Sequence, residues 1–185
     1  DGRIAAVGAL GGVPAASTLD ARGMTVTPGF LDIHRHADLA AFRPGFGELE
    51  LRQGLTTIVN GNCGLSAAPF GAEHRDEILT YLAPILGRAQ AGLPTARMAD
   101  YLRALERERL PVNVGMLVGG GVVRADVSGY RADPPDGARL RRIHQGLEQA
   151  LAGAVGVERV KLLRCGGLIL DTEGHTVTAE GAPVE

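Results

Sequence analysis

Between Phe30 and Val157, short bursts of β-branched residues alternate with longer stretches whose apolar positions recur every three or four residues. A period of two belongs to strands and a period near 3.6 to helices, so this rhythm restricts the chain to strand–helix–strand units. Strands joined through helices run parallel in one sheet, which sets the expected class as α/β.

The strands expected in this region are Phe30–His34, read as buried, Leu55–Val59, and Val112–Val118 running into Gly119-Gly120-Gly121. A short helix spans Glu48–Gln53, with Gly54 as its C-cap. Ala72–Leu86 carries Ile78, Leu79, Leu82 and Ile85 on one face, and Ala96–Arg107 carries Met98, Leu102 and Leu105 in the same way. Another helix starts at Asp136 as N-cap, with Leu140, Ile143, Leu147 and Leu151 as its buried stripe. Before Phe30, the segments Arg3–Gly8 and Met24–Thr27 read as short strands. Beyond Val157 the texture changes. Val160–Arg164, Gly167–Asp171 and His175–Thr178 read as antiparallel strands joined by Gly-containing turns, with no helix between them. The expected organisation is therefore residues 1–28 as strands, 29–158 as β/α units, and 159–185 as strands pairing with 1–28, with a boundary near Glu158.

At 185 residues the chain can bury a real core. Its net charge of −2 offers no basic surface to attract nucleic acid, and the absence of tryptophan argues against a stacking platform for single strands. No apolar run approaches the roughly 18 residues of a membrane span, and Asp1-Gly2-Arg3 does not read as a signal peptide. Cys63 and Cys165 are too few for a disulfide framework, so the expected compartment is the cytoplasm.

Of the five histidines, His34 and His36 stand two apart at the end of a strand, so their side chains project to the same side. With Asp38 following, they make half of a metal site, although an isolated pair of this kind serves equally well as two surface histidines. Cys63 lies one β/α unit further on, again just past a strand's carboxyl end. In a parallel β/α barrel such loops open onto one face, which would bring His34, His36 and Cys63 to one cation. Imidazole and thiolate ligands suit zinc. The competing readings are an inert buried cysteine and, for Asn60-Gly61-Asn62, a tight turn.

The run Pro28-Gly29-Phe30-Leu31-Asp32-Ile33-His34-Arg35-His36-Ala37-Asp38 resembles the metal-binding first strand of the amidohydrolase superfamily. Gln53-Gly54-Leu55-Thr56-Thr57, followed by Gly61-Asn62-Cys63-Gly64, is similar to a segment of the N-acyl-D-amino-acid deacylases, or D-aminoacylases. Asp1–Gly8, Gly119-Gly120-Gly121 and Ala150–Gly156 also fit that family, so the resemblance covers nearly all of residues 1–157. It implies a metal-dependent hydrolase (β/α) barrel, present in part, with strands of a small β-sandwich. It further implies zinc held by His34, His36 and Cys63, the cysteine standing where many relatives use a carboxylated lysine. The implied reaction is hydrolysis of the amide bond of a small N-acyl amino acid.

The family continues past the Gly-Ala-x-Gly helix with further ligand histidines and a catalytic aspartate that have no counterpart here, so no catalytic residue is assigned. His74, His144 and His175 read as solvated, and Lys161, the only lysine, is not read as a bridging ligand. The tail has two readings. Leu162–Asp171 resembles the family's first strands, as if the head had been moved to the end, while 159–185 also fits the C-terminal sandwich strands. Either way Cys165 is expected to be a small buried hydrophobe. Two functions remain open at this point: an amidohydrolase in partial or rearranged form, and a non-catalytic remnant. A half barrel exposes unpaired strands, which invites a second copy or a complementary chain.

Overall fold

The computed structural model describes residues 4–155 and, beyond them, the strand segments 162–165, 168–171, 176–179 and 182–183. Packing divides the chain into two units, Leu31–Arg159 and Asp1–Phe30 with Val160–Glu185. The boundary expected near Glu158, Lys161, His175 and the side chain of Cys165 lie outside the described residues.

The larger unit is α/β. Its sheet has the order β1 (Phe30–Asp32), β2 (Leu55–Asn60), β3 (Asn113–Met116), with β2 in the middle. β2 and β3 are parallel, in a register that sets Ile58 against Val114 and Asn60 against Met116. The β-branched run Thr56-Thr57-Ile58-Val59 explains why β2 is central, since such side chains pack well on a pleated surface. Around the sheet lie α1 (Glu48–Arg52), α2 (Arg75–Leu86), α3 (Met98–Arg107), α4 (Gly120–Ser128) and α5 (Gly137–Val155).

The core is built from α2, α3, α4 and the loops that follow β1 and β2. Leu39, Ala67, Phe70, Ile78, Leu82, Leu86, Met98, Tyr101 and Val122 are all buried in it. Phe42 and Tyr101 meet edge to face at 5.6 Å, a favoured aromatic geometry, and the Tyr101 hydroxyl donates to the Asp38 carbonyl at 2.8 Å. This bond ties α3 to the segment that carries the histidines.

Several expectations need correction. β1 is shorter than Phe30–His34 and is not buried: Phe30 is 57% exposed, and Ile33 just past the strand 72%, because no element covers these side chains among the described residues. On α2, Leu86 takes the inner position expected of Ile85, which is half exposed. α4 was not expected, since Gly119-Gly120-Gly121 reads as loop. Asp136 does cap α5, its carboxylate accepting from the backbone N–H groups of Ala138 and Arg139. The buried side of α5 is nevertheless not the leucine stripe. Leu140, Leu147 and Leu151 are exposed while Ala150 is buried, and Gly146 abuts Val123 of α4. Small residues let α5 lie close to its neighbours.

In the smaller unit, β4 (Leu162–Cys165), β5 (Leu168–Asp171), β6 (Thr176–Ala179) and β7 (Ala182–Pro183) form an antiparallel meander. Leu163 stands opposite Leu170, and Ile169 opposite Thr178. Residues 4–29 contain no strand, so those expected at Arg3–Gly8 and Met24–Thr27 are not formed among the described residues.

Candidate metal centre

β1 and β2 end side by side, and the loops that leave their carboxyl ends carry the chemistry. After β1 the chain runs through His34, Arg35 and His36, and the Arg35 N–H donates to the Val59 carbonyl at 2.9 Å. After β2 it runs through Asn60-Gly61-Asn62 to Cys63 and Gly64. Gly61, at φ +80°, lies against the Leu117 backbone where a Cβ would collide with the carbonyl. Cys63 itself has a left-handed backbone, with φ of +57°. That conformation is uncommon for a residue with a side chain and belongs to sites held by their surroundings.

The surroundings are visible. The N–H of Gly119 donates to the Ser66 hydroxyl at 3.0 Å, and the N–H of Val122 donates to the Gly64 carbonyl at 3.1 Å. The glycines at the start of α4 therefore let the Cys63 loop rest directly on that helix. Asn60 accepts the Ala37 N–H through its side-chain oxygen at 3.0 Å. The Asn62 amide nitrogen donates to the carbonyls of Val59 and Arg35, at 2.8 and 3.3 Å. Arg35 in turn is paired with the buried Glu50 at 2.5 Å.

These constraints bring His34, His36 and Cys63 together. One donor atom from each lies within 4.8 Å of the others. His34 Nε2 is 3.2 Å from Cys63 Sγ, and the two imidazole rings meet edge to face with centroids 5.4 Å apart. In tetrahedral zinc sites with bonds of about 2.0–2.3 Å, donors sit roughly 3.3–3.8 Å from one another. The trio needs only small adjustments to reach that geometry. His36 Nδ1 is buried without a hydrogen-bond partner among the described residues, which suits a ring whose nitrogen is kept for another purpose. Two imidazoles and a thiol are a donor set that can hold a divalent ion.

Asp38 stands apart from the trio. It is fully buried, one oxygen accepting the Ala67 N–H at 3.3 Å and the other unpartnered among the described residues. Burial pushes its carboxyl up to about 6, against the lowering effect of backbone N–H donors and of His36. His144 is exposed on α5, as expected. His74 is not fully solvated: it is half-buried, with Nδ1 3.2 Å from a Glu77 carboxylate oxygen. Sequence reasoning treated Asn60 and Asn62 as turn residues and missed their side-chain bonds to the neighbouring loop. Their only local signal is two amides flanking a glycine.

No family profile matches the chain. It is 37% identical to an N-acyl-D-glutamate deacylase of Alcaligenes xylosoxydans xylosoxydans, over 97% of this chain and 37% of the relative. Among solved structures it is similar to the N-acyl-D-glutamate deacylase of Bordetella bronchiseptica, with a TM-score of 0.68 and 36% identity over 82% of this chain and 31% of that one. That protein was crystallised with zinc and a phosphonate inhibitor that mimics the tetrahedral intermediate of the reaction. A D-aminoacylase described as having a binuclear metal centre matches at a TM-score of 0.67 and 31% identity, again over 82% of this chain and 31% of its own. The chain thus spans about a third of the length of the relatives it matches.

Proposed function

From a chain that is a homologue of the N-acyl-D-amino-acid deacylases of the amidohydrolase family over most of its own length, we propose the metal-holding part of a zinc-dependent amide hydrolase. In this reading residues 29–158 form half of a (β/α) barrel, and the antiparallel strands within 159–185 belong to a small β-sandwich. His34, His36 and Cys63 are the metal ligands.

The observation that carries the proposal is the convergence of two imidazoles and a thiol, from the ends of two adjacent strands, within 4.8 Å. Zinc, when bound, makes a coordinated water acidic enough to supply hydroxide near neutral pH and polarises a carbonyl. The protein's part is to present three donors and leave a coordination position free. Arg35, held by Glu50, and the two asparagines keep the donor-bearing loops in register. Asp38 is not assigned as proton carrier: its carboxyl is fully buried and stands apart from the three donors.

The proposed substrates are small N-acyl-D-amino acids and the proposed compartment is the cytoplasm; no helix among the described residues is long and apolar enough to cross a membrane. The exposed apolar residues Ile33, Leu140 and Leu147 give a second copy or a complementary chain something to cover.

The test is metal analysis of the purified chain together with release of amine from N-acetyl-D-glutamate. Stoichiometric zinc with turnover supports the hydrolase, whereas absence of zinc after incubation with a micromolar excess rejects the centre.

A further inference from the structure

We infer that Asn62 is a positioning residue that sets the two imidazoles in register with the thiol, a role that rests on the metal-centre reading above. The amide nitrogen of Asn62 has two hydrogens and uses them on two loops. One bond reaches the carbonyl of Val59, at the end of its own strand β2; the other reaches the carbonyl of Arg35, the residue between His34 and His36. Cys63 is the very next residue. This side chain therefore ties the backbone between the two imidazoles directly to the residue before the sulfur.

The choice of side chain follows from the donors. The two groups it meets are both carbonyl oxygens, so the position requires two N–H donors on one short arm. Aspartate has the same size but would aim carboxylate oxygens at two carbonyl oxygens. Alanine makes neither bond and frees the loop. The Arg35 N–H bond to Val59 leaves one direct backbone link between the strand ends, and the Asn60 oxygen on the Ala37 N–H adds a second staple beyond His36. The Asn62 bond is the one that closes the stretch between Cys63 and the imidazoles. Partners that orient ligands from behind are worth tenfold to a hundredfold in metal affinity.

A matched control lies on the neighbouring strand. Asn113 of β3 donates through its amide to the Thr56 carbonyl and the Thr57 hydroxyl, near the opposite end of β2 from the site. Asn113→Ala removes a comparable pair of bonds without touching the loops.

The experiment measures zinc affinity by chelator competition for the wild type, N62D, N62A and N113A. In parallel, NMR of the metal-free proteins follows the through-space contact between the His34 ring and the Cys63 β-protons. The expected result is a tenfold to hundredfold loss of affinity in N62D and N62A, with N113A within threefold of wild type. The His34–Cys63 contact weakens in both Asn62 variants and persists in N113A. Zinc affinity within threefold of wild type in N62D, together with an intact contact, overturns the assignment; so does an equal loss in N113A. The NMR readout needs no metal. A wild type that takes up no zinc but loses the contact in N62D therefore supports Asn62 while refuting the metal reading. N62S, which removes the two-donor arm without aiming a carboxylate at the carbonyls, is read in the same way if N62A or N62D unfolds.

Discussion

Gly119 and Gly64 touch backbone to backbone: a Cβ on Gly119 would lie 2.6 Å from the Gly64 carbonyl oxygen. The start of α4 and the residue after Cys63 are thereby pressed into one unit. Gly119→Ala is expected to cost about 1–3 kcal/mol, the usual range for forcing an atom into a filled space. Gly120, one residue on, has open space where its Cβ would be. Gly120→Ala should be neutral or up to about 1 kcal/mol stabilising, from the lower entropy of its unfolded chain. Urea denaturation of the pair distinguishes close packing from a general need for glycine.

Asp133 gives a pH signature. Hydrogen bonds from Arg131 and Arg139 hold its carboxyl down at about 2. A carboxylate whose folded value is depressed stabilises the fold above its unfolded value and loses that contribution as pH falls through the folded one. The window is therefore from about 4 down to about 2, and the size is small because the group is exposed. An NMR titration should place the Asp133 midpoint near 2, and Asp133→Asn should remove that part of the acid sensitivity. A midpoint near 4 would show that the arginines do not hold it.

The two sides of the helical layer should respond differently. Leu82 of α2 is fully buried, whereas Leu140 of α5 is 44% exposed. Leu82→Ala is expected to cost about 2–5 kcal/mol. Leu140→Ala should cost less than about 1 kcal/mol, as surface changes do. Equal losses in thermal or chemical unfolding would mean that the outer stripe of α5 is covered in solution.

β2, α2 and α3 were legible because β-branched runs and helical spacing record burial directly. His34, His36 and Cys63 were legible because metal-binding residue types stand at strand ends. α4 was not, because its first residues are glycines of poor helix propensity; it is held by the Val122 N–H on Gly64 and by packing on α5, both set by the tertiary fold. The face of α5 was misassigned because leucines outweigh Gly146 and Ala150 in any hydrophobic pattern, yet the small residues make the close approach. The strands expected at Arg3–Gly8 and Met24–Thr27 show that strand-like composition does not supply a partner strand.

X-ray absorption at the zinc edge of the zinc-loaded protein reads the ligand set of the ion itself. If His34, His36 and Cys63 hold the ion, the spectrum shows one sulfur scatterer at about 2.3 Å with nitrogen scatterers at about 2.0–2.1 Å, and the sulfur vanishes in Cys63→Ser. A first shell of oxygen and nitrogen alone in the wild type would contradict that ligand set.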